Sequence, residues 1–480
     1  MSTIPFRSTT VGAAVKSVLG TAVAVPLLVA AMPAVAQQSQ QEQMQELQQQ
    51  IEQLQSKFNQ MQSDQVQKDA RIEQLQAQQE QMSEGSMVSD TEESSSDGEG
   101  FKVGNTTIQL NGYFKLDAIY DFEDDHGTSL GPSDAIGTLN NKGTDRPGDG
   151  NIGATVKQTR LKLSTTTSTE TFGDIGGYIE MDLYGSPYDG SFGGGPSPRV
   201  RRAYLTIGNW LIGRDWSTFS DFNYGTTLNF YGPQGQLFER QAQVRYTFHL
   251  PDESTFDVAL ETPTGDGVTS GPVQDDLPFK QADKQGNEDN PLPDFVVRYQ
   301  GSQGPVSFQV AGIARYLKAD IQGFNGADSN SNDSVLGWGL DAGATLALPT
   351  GTTLMGTVAG GEGIGKYIYA PAGGTDTYVD DNGNLEAFQR WGYTATISQA
   401  LTSELTGNVV WGQAFSESPN NVDYSTDGLH DNSDTLAVNL LYTPVDPLTF
   451  GIEYNRSFYE QQDGTDAQAQ NVQFSTIYNF

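Results

Sequence analysis

The chain has 480 residues, with 60 acidic side chains against 26 basic ones, a formal net charge of -34 and no cysteine. This acidic balance argues against nucleic-acid binding, because lysine and arginine supply the affinity for phosphate backbones. The absence of cysteine excludes disulfide scaffolds and thiolate metal sites, and it suits passage through an oxidising compartment. The sequence also contains 54 glycines, which favour turns and long loops.

The N-terminal segment has the features of a secretory signal peptide. Arg7 and Lys16 supply the positive charge, an apolar stretch follows, and Ala34-Val35-Ala36 forms a small-residue cleavage site. A membrane-anchoring helix is the alternative, but Pro26 interrupts the apolar stretch and a glutamine-rich run comes directly after it. We therefore expect residues 1–36 to be removed during export.

Residues 41–82 follow a heptad pattern that predicts an α-helical coiled coil. The segment lacks glycine and proline and is rich in glutamine and glutamate, which favour helix. The pattern breaks at its centre, where Gln65 and Lys68 take the core positions, and a polar single helix or a disordered glutamine tract is the alternative. The apolar core positions are Met44, Leu47, Ile51, Leu54, Phe58, Met61, Ile72, Leu75 and Met82.

Residues 83–104 are acidic and rich in serine and glycine, and we expect them to form a flexible linker. Residues 105–480 contain no run of about 18 apolar residues, the length that a membrane-spanning helix requires. They contain instead sixteen segments in which apolar and polar residues alternate, which predicts β-strands. The spans are 107–121, 154–166, 172–184, 200–207, 210–214, 238–249, 255–262, 294–300, 305–318, 336–348, 353–361, 386–399, 404–415, 434–443, 448–458 and 470–480.

The connections between these segments alternate in length. Those after even-numbered segments are short, whereas most of those after odd-numbered segments are long, as in 122–153, 263–293 and 362–385. Short periplasmic turns and long outer loops give an outer-membrane barrel this rhythm. We therefore expect an all-β transmembrane barrel of 16 antiparallel strands over residues 105–480, with an N-terminal α-helical coiled coil in the periplasm. A large soluble β-sandwich or propeller is the alternative, and it leaves the alternation unexplained.

Alternation along each strand also assigns its residues to two faces. The apolar face has to meet lipid, where a lysine or arginine at the bilayer midplane costs about 2–4 kcal/mol, so the charged face lines a wet lumen. A basic lumen wall favours anions; the alternative is that these bases pair with lumen acids and only stiffen the barrel. The basic lumen positions are Lys115, Arg160, Lys162, Arg202, Arg214, Arg245, Arg298, Arg315 and Arg390.

The segment 199–217 joins two short strands by a Gly-Asn turn and ends in Gly213-Arg214-Asp215-Trp216-Ser217. It resembles the strand of trimeric porins whose arginine faces the pore just before the third loop folds inward. The resemblance implies that Arg214 faces the narrowest part of the pore and that residues 215–235 form a constriction loop; an ordinary surface loop is the alternative. The loop residues that the resemblance singles out are Asp215, Asp221, Phe222, Tyr224, Phe230 and Tyr231.

Four further motifs follow the heptad segment: Asn111-Gly112-Tyr113-Phe114-Lys115-Leu116-Asp117, Gln158-Thr159-Arg160-Leu161-Lys162-Leu163, Gly177-Tyr178-Ile179-Glu180 and Arg240-Gln241-Ala242-Gln243-Val244-Arg245-Tyr246. In this order they resemble the DcaP-like porins of Gram-negative bacteria over nearly the whole chain. The resemblance implies homotrimers, a periplasmic coiled coil and uptake of small anions, notably dicarboxylates and aromatic acids. The later loops, such as residues 323–335, match nothing, so the natural substrate stays open.

The sequence does not indicate an enzyme. His126, His249 and His430 lie in or beside predicted connections and lack the spacing of a metal pair or of a nucleophile's base. The Asp380–Asn384 segment fails the EF-hand pattern, so we expect no metal site and no cofactor. A barrel enzyme that acts on lipid would need a serine or histidine constellation near the membrane boundary, which the sequence does not show.

Two functions remain open. The first is an outer-membrane porin that prefers small anions, with membrane lipid, lipopolysaccharide and further copies of the chain as partners. The second is a structural barrel that tethers the envelope through contact of its coiled coil with peptidoglycan, with only general diffusion through the pore.

Overall fold

The computed structural model describes residues 100–122, 150–185, 196–263, 291–321, 331–371, 376–380, 382, 384–420, 430–464 and 466–480. The predicted signal peptide and coiled coil lie outside the described residues, as do most of the predicted linker and His126. Within the described ranges, no helix is long and apolar enough to cross a membrane.

The described residues form β-strands joined by turns and loops. Each of the sixteen predicted segments overlaps at least one of these strands, so the prediction of an all-β barrel region is confirmed. In chain order they are β1 (Phe101–Val103), β2 (Thr106–Asp121), β3 (Asn151–Thr155), β4 (Arg160–Thr169), β5 (Gly173–Asp182), β6 (Arg199–Ile207), β7 (Trp210–Trp216), β8 (Arg240–His249), β9 (Thr255–Glu261), β10 (Asp294–Gln303), β11 (Val306–Ile321), β12 (Ser331–Ala347), β13 (Thr352–Glu362), β14 (Thr377–Val379), β15 (Leu385–Ala387), β16 (Gln389–Ala400), β17 (Leu405–Ser416), β18 (His430–Val445), β19 (Leu448–Gln461) and β20 (Asp466–Asn479).

One antiparallel sheet of 18 of these strands closes into a barrel, because β2 pairs with β20. Strands β3 and β4 both pair with β2 and together act as one interrupted wall strand. Strand β1 only extends the edge of β2, and β14 and β15 form a separate two-stranded sheet. The wall therefore has the predicted 16 strands.

The seam between β2 and β20 is completed by Gly112 and Phe480. The N–H of each residue donates to the carbonyl of the other at 3.0 Å, and the Phe480 ring stacks on Phe114 with centroids 5.0 Å apart. Gly112 has a φ of 151°, and a β-carbon at this position would collide with the Arg160 carbonyl. Glycine therefore allows the close approach of β4 to the seam.

A turn at residues 156–159 interrupts the second wall strand. The N–H of Thr159 donates to the Val156 carbonyl at 3.0 Å. The turn places Gln158 against Lys115, whose ammonium donates to the Gln158 side-chain carbonyl at 2.5 Å. The single strand predicted over 154–166 is therefore two strands, because the turn supplies partners for a buried lysine.

The two faces of the wall differ as the alternation predicts. On β2, Lys115 and Asp117 are 3% and 2% exposed, whereas Phe114 and Leu116 are 55% and 51% exposed. Strands β8 and β11 alternate in the same way. An apolar outer face fits hydrocarbon, and the inward polar side chains are shielded from it.

Two connections fold into the barrel. The first, residues 217–239 between β7 and β8, is named the constriction loop, and the second, residues 363–371 after β13, is named the inner segment. Together with inward side chains of the wall they form an apolar core, so this part of the lumen is packed with side chains. The core residues are Phe219, Leu237, Ala259, Val296, Ala311, Ile313, Ala359, Ile364, Tyr367, Ile368, Ala370 and Ala414.

We expect Phe480→Ala to weaken the barrel seam. The substitution removes a stacked ring pair, which is worth about 0.5–1.5 kcal/mol beyond burial. The measurement is urea unfolding of the refolded barrel in detergent, and the control is Phe474→Ala, which shortens another outward-facing phenylalanine of β20. Equal losses in the two variants would contradict the importance of the seam contact.

Candidate functional site

Basic strands alternate with acidic strands along one side of the lumen. Strands β4, β6 and β8 carry inward arginines, and the intervening β5 and β7 carry inward carboxylates. We name the arginines the basic cluster: Arg160, Arg199, Arg201, Arg202 and Arg245.

Three of these arginines share the carboxylate of Glu180, which is 1% exposed. Its oxygens lie 2.6 Å from Arg201 Nε, 3.4 Å from Arg160 Nε and 3.8 Å from Arg202 Nη1. Lys162, which is half-buried, lies opposite Glu180 in the β4–β5 register. The acid therefore neutralises only part of the charge around it.

Asp182 and Asp215 each bind two arginines. The distances are 2.6 Å to Arg199 and 3.1 Å to Arg201 for Asp182, and 2.5 Å to Arg202 and 3.4 Å to Arg245 for Asp215. In these contacts, which join described residues, five positive charges thus meet three negative ones.

A β-bulge turns two adjacent arginines to the same side of β6. The β5–β6 register shifts directly after the pair Glu180–Arg202, and the extra residue is Arg201. Strict alternation would send Arg199 and Arg201 to the lipid when Arg202 faces inward, so sequence reasoning missed both. The Arg-Val-Arg-Arg run at residues 199–202 could have indicated the bulge, since a regular strand cannot keep all three arginines out of hydrocarbon.

Aromatic rings cover the guanidinium groups of the basic cluster. Arg201 lies 5.7 Å from the ring centre of Trp216 and 5.8 Å from that of Phe230. Arg199 lies 5.4 Å from Tyr184 and 5.6 Å from Phe230. Because Phe230 belongs to the constriction loop, the loop contacts the cluster directly.

Arg240 adds a further guanidinium beside these rings. It lies 4.6 Å from the ring centre of Trp216 and 5.5 Å from that of Phe238. Its Nε and Nη1 are buried without a hydrogen-bond partner among the described residues. Burying a charged donor without an acceptor is costly, so an anion bound here would restore the missing hydrogen bonds.

The middle of the constriction loop is fastened to β19, β20 and β2. The N–H groups of Leu228 and Asn229 donate to the Glu453 carboxylate at 2.7 and 3.0 Å. The Leu228 carbonyl accepts from Lys115 Nζ at 2.6 Å and from Gln473 Nε2 at 2.9 Å. Lys115 therefore acts as an anchor for the loop.

The beginning of the loop is fixed to β11, β12 and β16. The contacts are Gln309 Nε2 to the Ser220 carbonyl at 2.9 Å, Thr345 Oγ1 to Asn223 Oδ1 at 2.7 Å and Thr396 Oγ1 to the Tyr224 carbonyl at 2.5 Å. Asp221 lies among them and is 0% exposed. Burial raises the pKa of the Asp221 carboxyl, against the hydrogen bonds from Asn223, which lower it.

The predicted aromatic residues of the loop pack inside the barrel. Phe222 lies 5.1 Å from Trp216 between ring centres, and Tyr231 stacks on Tyr369 of the inner segment at 5.1 Å. Tyr224 is 4% exposed. The loop thus fills space between the wall and the inner segment.

The inner segment pairs with the constriction loop through its backbone. The bonds run from Gly235 N–H to the Tyr369 carbonyl at 2.8 Å, from Tyr369 N–H to the Gln236 carbonyl at 2.9 Å and from Phe238 N–H to the Tyr367 carbonyl at 3.1 Å. Neither segment can move alone without breaking these bonds. The sequence carries no signal for this pairing, because residues 363–371 belong to a long connection that the alternation assigns to the outer side.

Two of the predicted pore-lining arginines hold acids of the wall and of the outer connection. Arg315 lies 3.0 Å from Asp294 and 2.6 Å from Asp376. Arg298 binds Asp257 at 2.9 Å. For these residues the geometry favours the stiffening role over contact with a solute.

Arg214 and Asp215 lie on β7. The register pairs Arg214 with Ala203 and Ala242, and Arg214 Nε donates to the carbonyl of the buried Arg201 at 3.2 Å. That Arg214 faces the narrowest part of the pore stays a prediction. Asp215 lies within β7 and faces inward, so it belongs to the wall and not to the loop.

His430 forms a polar contact between wall strands. Its Nδ1 lies 2.8 Å from the Ser416 hydroxyl and its Nε2 lies 2.8 Å from the Ser433 hydroxyl. The two serines are 1% and 0% exposed, and Arg390 Nε donates to Ser416 at 3.0 Å. Both ring nitrogens are thus engaged, and neither hydroxyl is accessible to a substrate.

A family model for the DcaP outer membrane protein matches residues 30–480. The chain belongs to the DcaP outer membrane protein family. This confirms the resemblance seen in the sequence motifs, and it places the DcaP-family barrel in the Gram-negative outer membrane. No curated protein matches the chain.

Two solved structures share the barrel fold. The crystal structure of the outer membrane channel DcaP of Acinetobacter baumannii matches with a TM-score of 0.64 and 24% identity, over 79% of this chain and 99% of that chain. An anion-selective porin from Comamonas acidovorans matches with a TM-score of 0.50 and 12% identity, over 78% of this chain and 100% of that chain. At these identities the likeness concerns the fold alone, and it confirms the porin-type barrel.

We expect Glu453→Gln to loosen the constriction loop. The amide offers one carbonyl oxygen in place of two carboxylate oxygens, so one loop N–H loses its acceptor at a cost of about 1–3 kcal/mol. Single-channel recording should show more frequent brief closures. Glu404→Gln, in an exposed turn of the DcaP-family barrel, is the control. Current noise that is unchanged in Glu453→Gln would contradict the anchoring role.

Proposed function

We propose that this DcaP-family barrel is a porin for passive, anion-preferring uptake of small solutes such as dicarboxylates or aromatic acids. The observation that carries the proposal is the charge balance of the basic cluster, in which five arginines meet three carboxylates. In these contacts of the described residues positive charge exceeds negative charge, so rigidity and anion attraction coexist. Inside a pore with low-dielectric walls, such an excess raises the local concentration of anions.

Arg240 is the proposed binding contact for the solute. The guanidinium can donate charge-assisted hydrogen bonds to a carboxylate, and its Nε and Nη1 have no protein acceptor among the described residues. Trp216 and Phe238 offer flat apolar faces beside it. The positive charges of Arg199 and Arg201 also act on this position, which supports a second carboxylate on the solute.

Binding at this position has to stay weak, because a passive channel must also release its solute. The arginines of the basic cluster already bind Glu180, Asp182 and Asp215. An anion that enters the cluster has to compete with these carboxylates for the same donors. The competition limits how long the anion stays.

The porin from Comamonas acidovorans, which is described as anion-selective, has the same type of barrel. This likeness supports the proposal, because it shows that a barrel of this type can prefer anions. The identity of the solute rests on the chemistry of the site described above.

We also propose that residues 1–36 are a cleaved signal peptide and that residues 41–82 join three chains in a periplasmic coiled coil. The heptad pattern and the small-residue cleavage site support this part of the proposal.

Arg240→Gln should reduce both anion preference and solute binding. Arg240 is suited to this test because it forms no ion pair with a carboxylate of the described residues, so its removal leaves no buried acid without its partner. We expect the anion-to-cation permeability ratio, from reversal potentials in a salt gradient, to fall about threefold, since a charge inside the pore focuses ions strongly. Interruption of the current by phthalate or succinate should weaken, and a neutral sugar should be unaffected.

Arg456→Gln is the control, because this half-exposed arginine lies on the outward face, where it forms a partly exposed ion pair with Asp434 at 3.8 Å. It should leave the permeability ratio unchanged. Preference for cations in the unmodified protein, or a ratio that is equal in both variants, would overturn the arginine assignment.

Deletion of residues 41–82 should preserve conductance and lower the temperature at which the trimer dissociates, measured on gels without boiling. A coiled coil adds buried contacts between chains, so its loss weakens only their association. Loss of co-sedimentation with peptidoglycan, at unchanged trimer stability, would favour the envelope-tethering function instead.

A further inference from the structure

Two buried carboxyl groups meet where the constriction loop contacts the wall. Asp221 belongs to the loop and Asp341 to β12, and they are 0% and 2% exposed. Gly343 is the next inward position on β12, and a β-carbon there would collide with the Asp221 carboxyl. The wall thus leaves room for Asp221, and Gln309 Nε2 brings the two residues together, because it donates both to the Ser220 carbonyl and to Asp341 Oδ2 at 2.9 Å.

Each of these carboxyl groups has one oxygen with a donor and one without. Asp221 Oδ1 accepts from the N–H and the side-chain amide of Asn223 at 2.8 and 2.7 Å. Asp341 Oδ2 accepts from Gln309 Nε2 at 2.9 Å. Asp221 Oδ2 and Asp341 Oδ1 are buried without a hydrogen-bond partner among the described residues.

No basic side chain of the described residues forms an ion pair with Asp221 or Asp341. The positive charge of Arg298 on β10 acts on both groups, but its guanidinium is bound to Asp257 of β9 at 2.9 Å. The loop, β11 and β12 supply Asn223, Gln309 and Thr345 near the pair, all of them neutral.

Two ionised carboxylates cannot share such a site cheaply. Buried like charges in contact repel each other strongly, and a carboxyl pair in this arrangement keeps one proton between its members. The proton converts two acceptors into a donor and an acceptor. It thereby supplies the hydrogen bond that both unpartnered oxygens lack.

We propose that Asp221 and Asp341 share one proton, and that this proton fastens the constriction loop to β12. The pair is a proton-binding site that positions the loop. The remaining anchors of the loop, including Glu453, are separate from it, so loss of the proton releases one part of the loop and leaves the rest attached.

The direction of the pH dependence follows from which state holds the proton more tightly. The attached loop binds it more tightly than a loop whose Asp221 has moved into water. Attachment is therefore complete at low pH and is lost as the pH rises through the titration of the pair. The two charges then push the loop from the wall toward the pore, which lowers the conductance.

This inference rests on the proposed channel function, but it does not depend on anion preference. The test is single-channel recording of the unmodified protein and of Asp341→Asn from about pH 5 to about pH 10, a range that spans the raised titration of a buried carboxyl. We expect the unmodified conductance to fall about twofold as pH rises, through partial occlusion of the pore. Asp341→Asn should show a flat profile, because its amide donates at every pH.

Asp174→Asn is the matched control, since Asp174 is exposed at the start of β5 and should leave the titration in place. Asp221→Asn provides a second variant with the same expected flat profile, should Asp341→Asn fail to form a barrel. Reversal potentials from the same recordings measure ion preference separately. A failure of the proposed anion preference can therefore be told apart from a failure of the shared proton.

A conductance that does not change with pH in the unmodified protein would overturn the proposal of a shared proton. So would a titration that survives in both Asp221→Asn and Asp341→Asn. A pH dependence that disappears with EDTA and returns with calcium would assign the site to a divalent cation and would equally overturn it.

Discussion

Closure of the sheet between β2 and β20 is the constraint on which the barrel depends. Hydrocarbon offers no partner to an open strand edge, so every backbone group of the wall has to be satisfied within the sheet. Gly112 and Phe480 complete that seam. Once the cylinder is closed, side chains alternate between lipid and lumen. The chain has few basic residues, and it places many of them on the inner wall.

The inner wall then has to hold many charges close together. Acids on β5 and β7 lie between arginines on β4, β6 and β8, so every guanidinium of the basic cluster has a carboxylate within reach. Buried ion pairs contribute little net stability, because desolvation offsets the attraction, but they fix geometry. The incomplete neutralisation is therefore the property that matters for solutes.

Alternation in the sequence was sufficient to predict the strands, their order and most of the inward faces, because the lipid imposes a strict two-residue period. Departures from that period were not predictable in the same way. Arg201 reaches the lumen through a bulge in β6, which a strict two-residue period does not contain. Ile313 is apolar yet faces inward, since it packs on the inner segment, which has no strand pattern of its own.

The constriction loop connects the basic cluster to the Asp221–Asp341 pair. Its Phe230 covers Arg199 and Arg201, while its Asp221 meets Asp341 on the far wall. Both contacts lie on one continuous loop backbone, so a displacement at one contact changes the other. Linkage between such sites is reciprocal. An anion that binds better to the attached loop therefore raises the affinity of the carboxyl pair for its proton by the same factor.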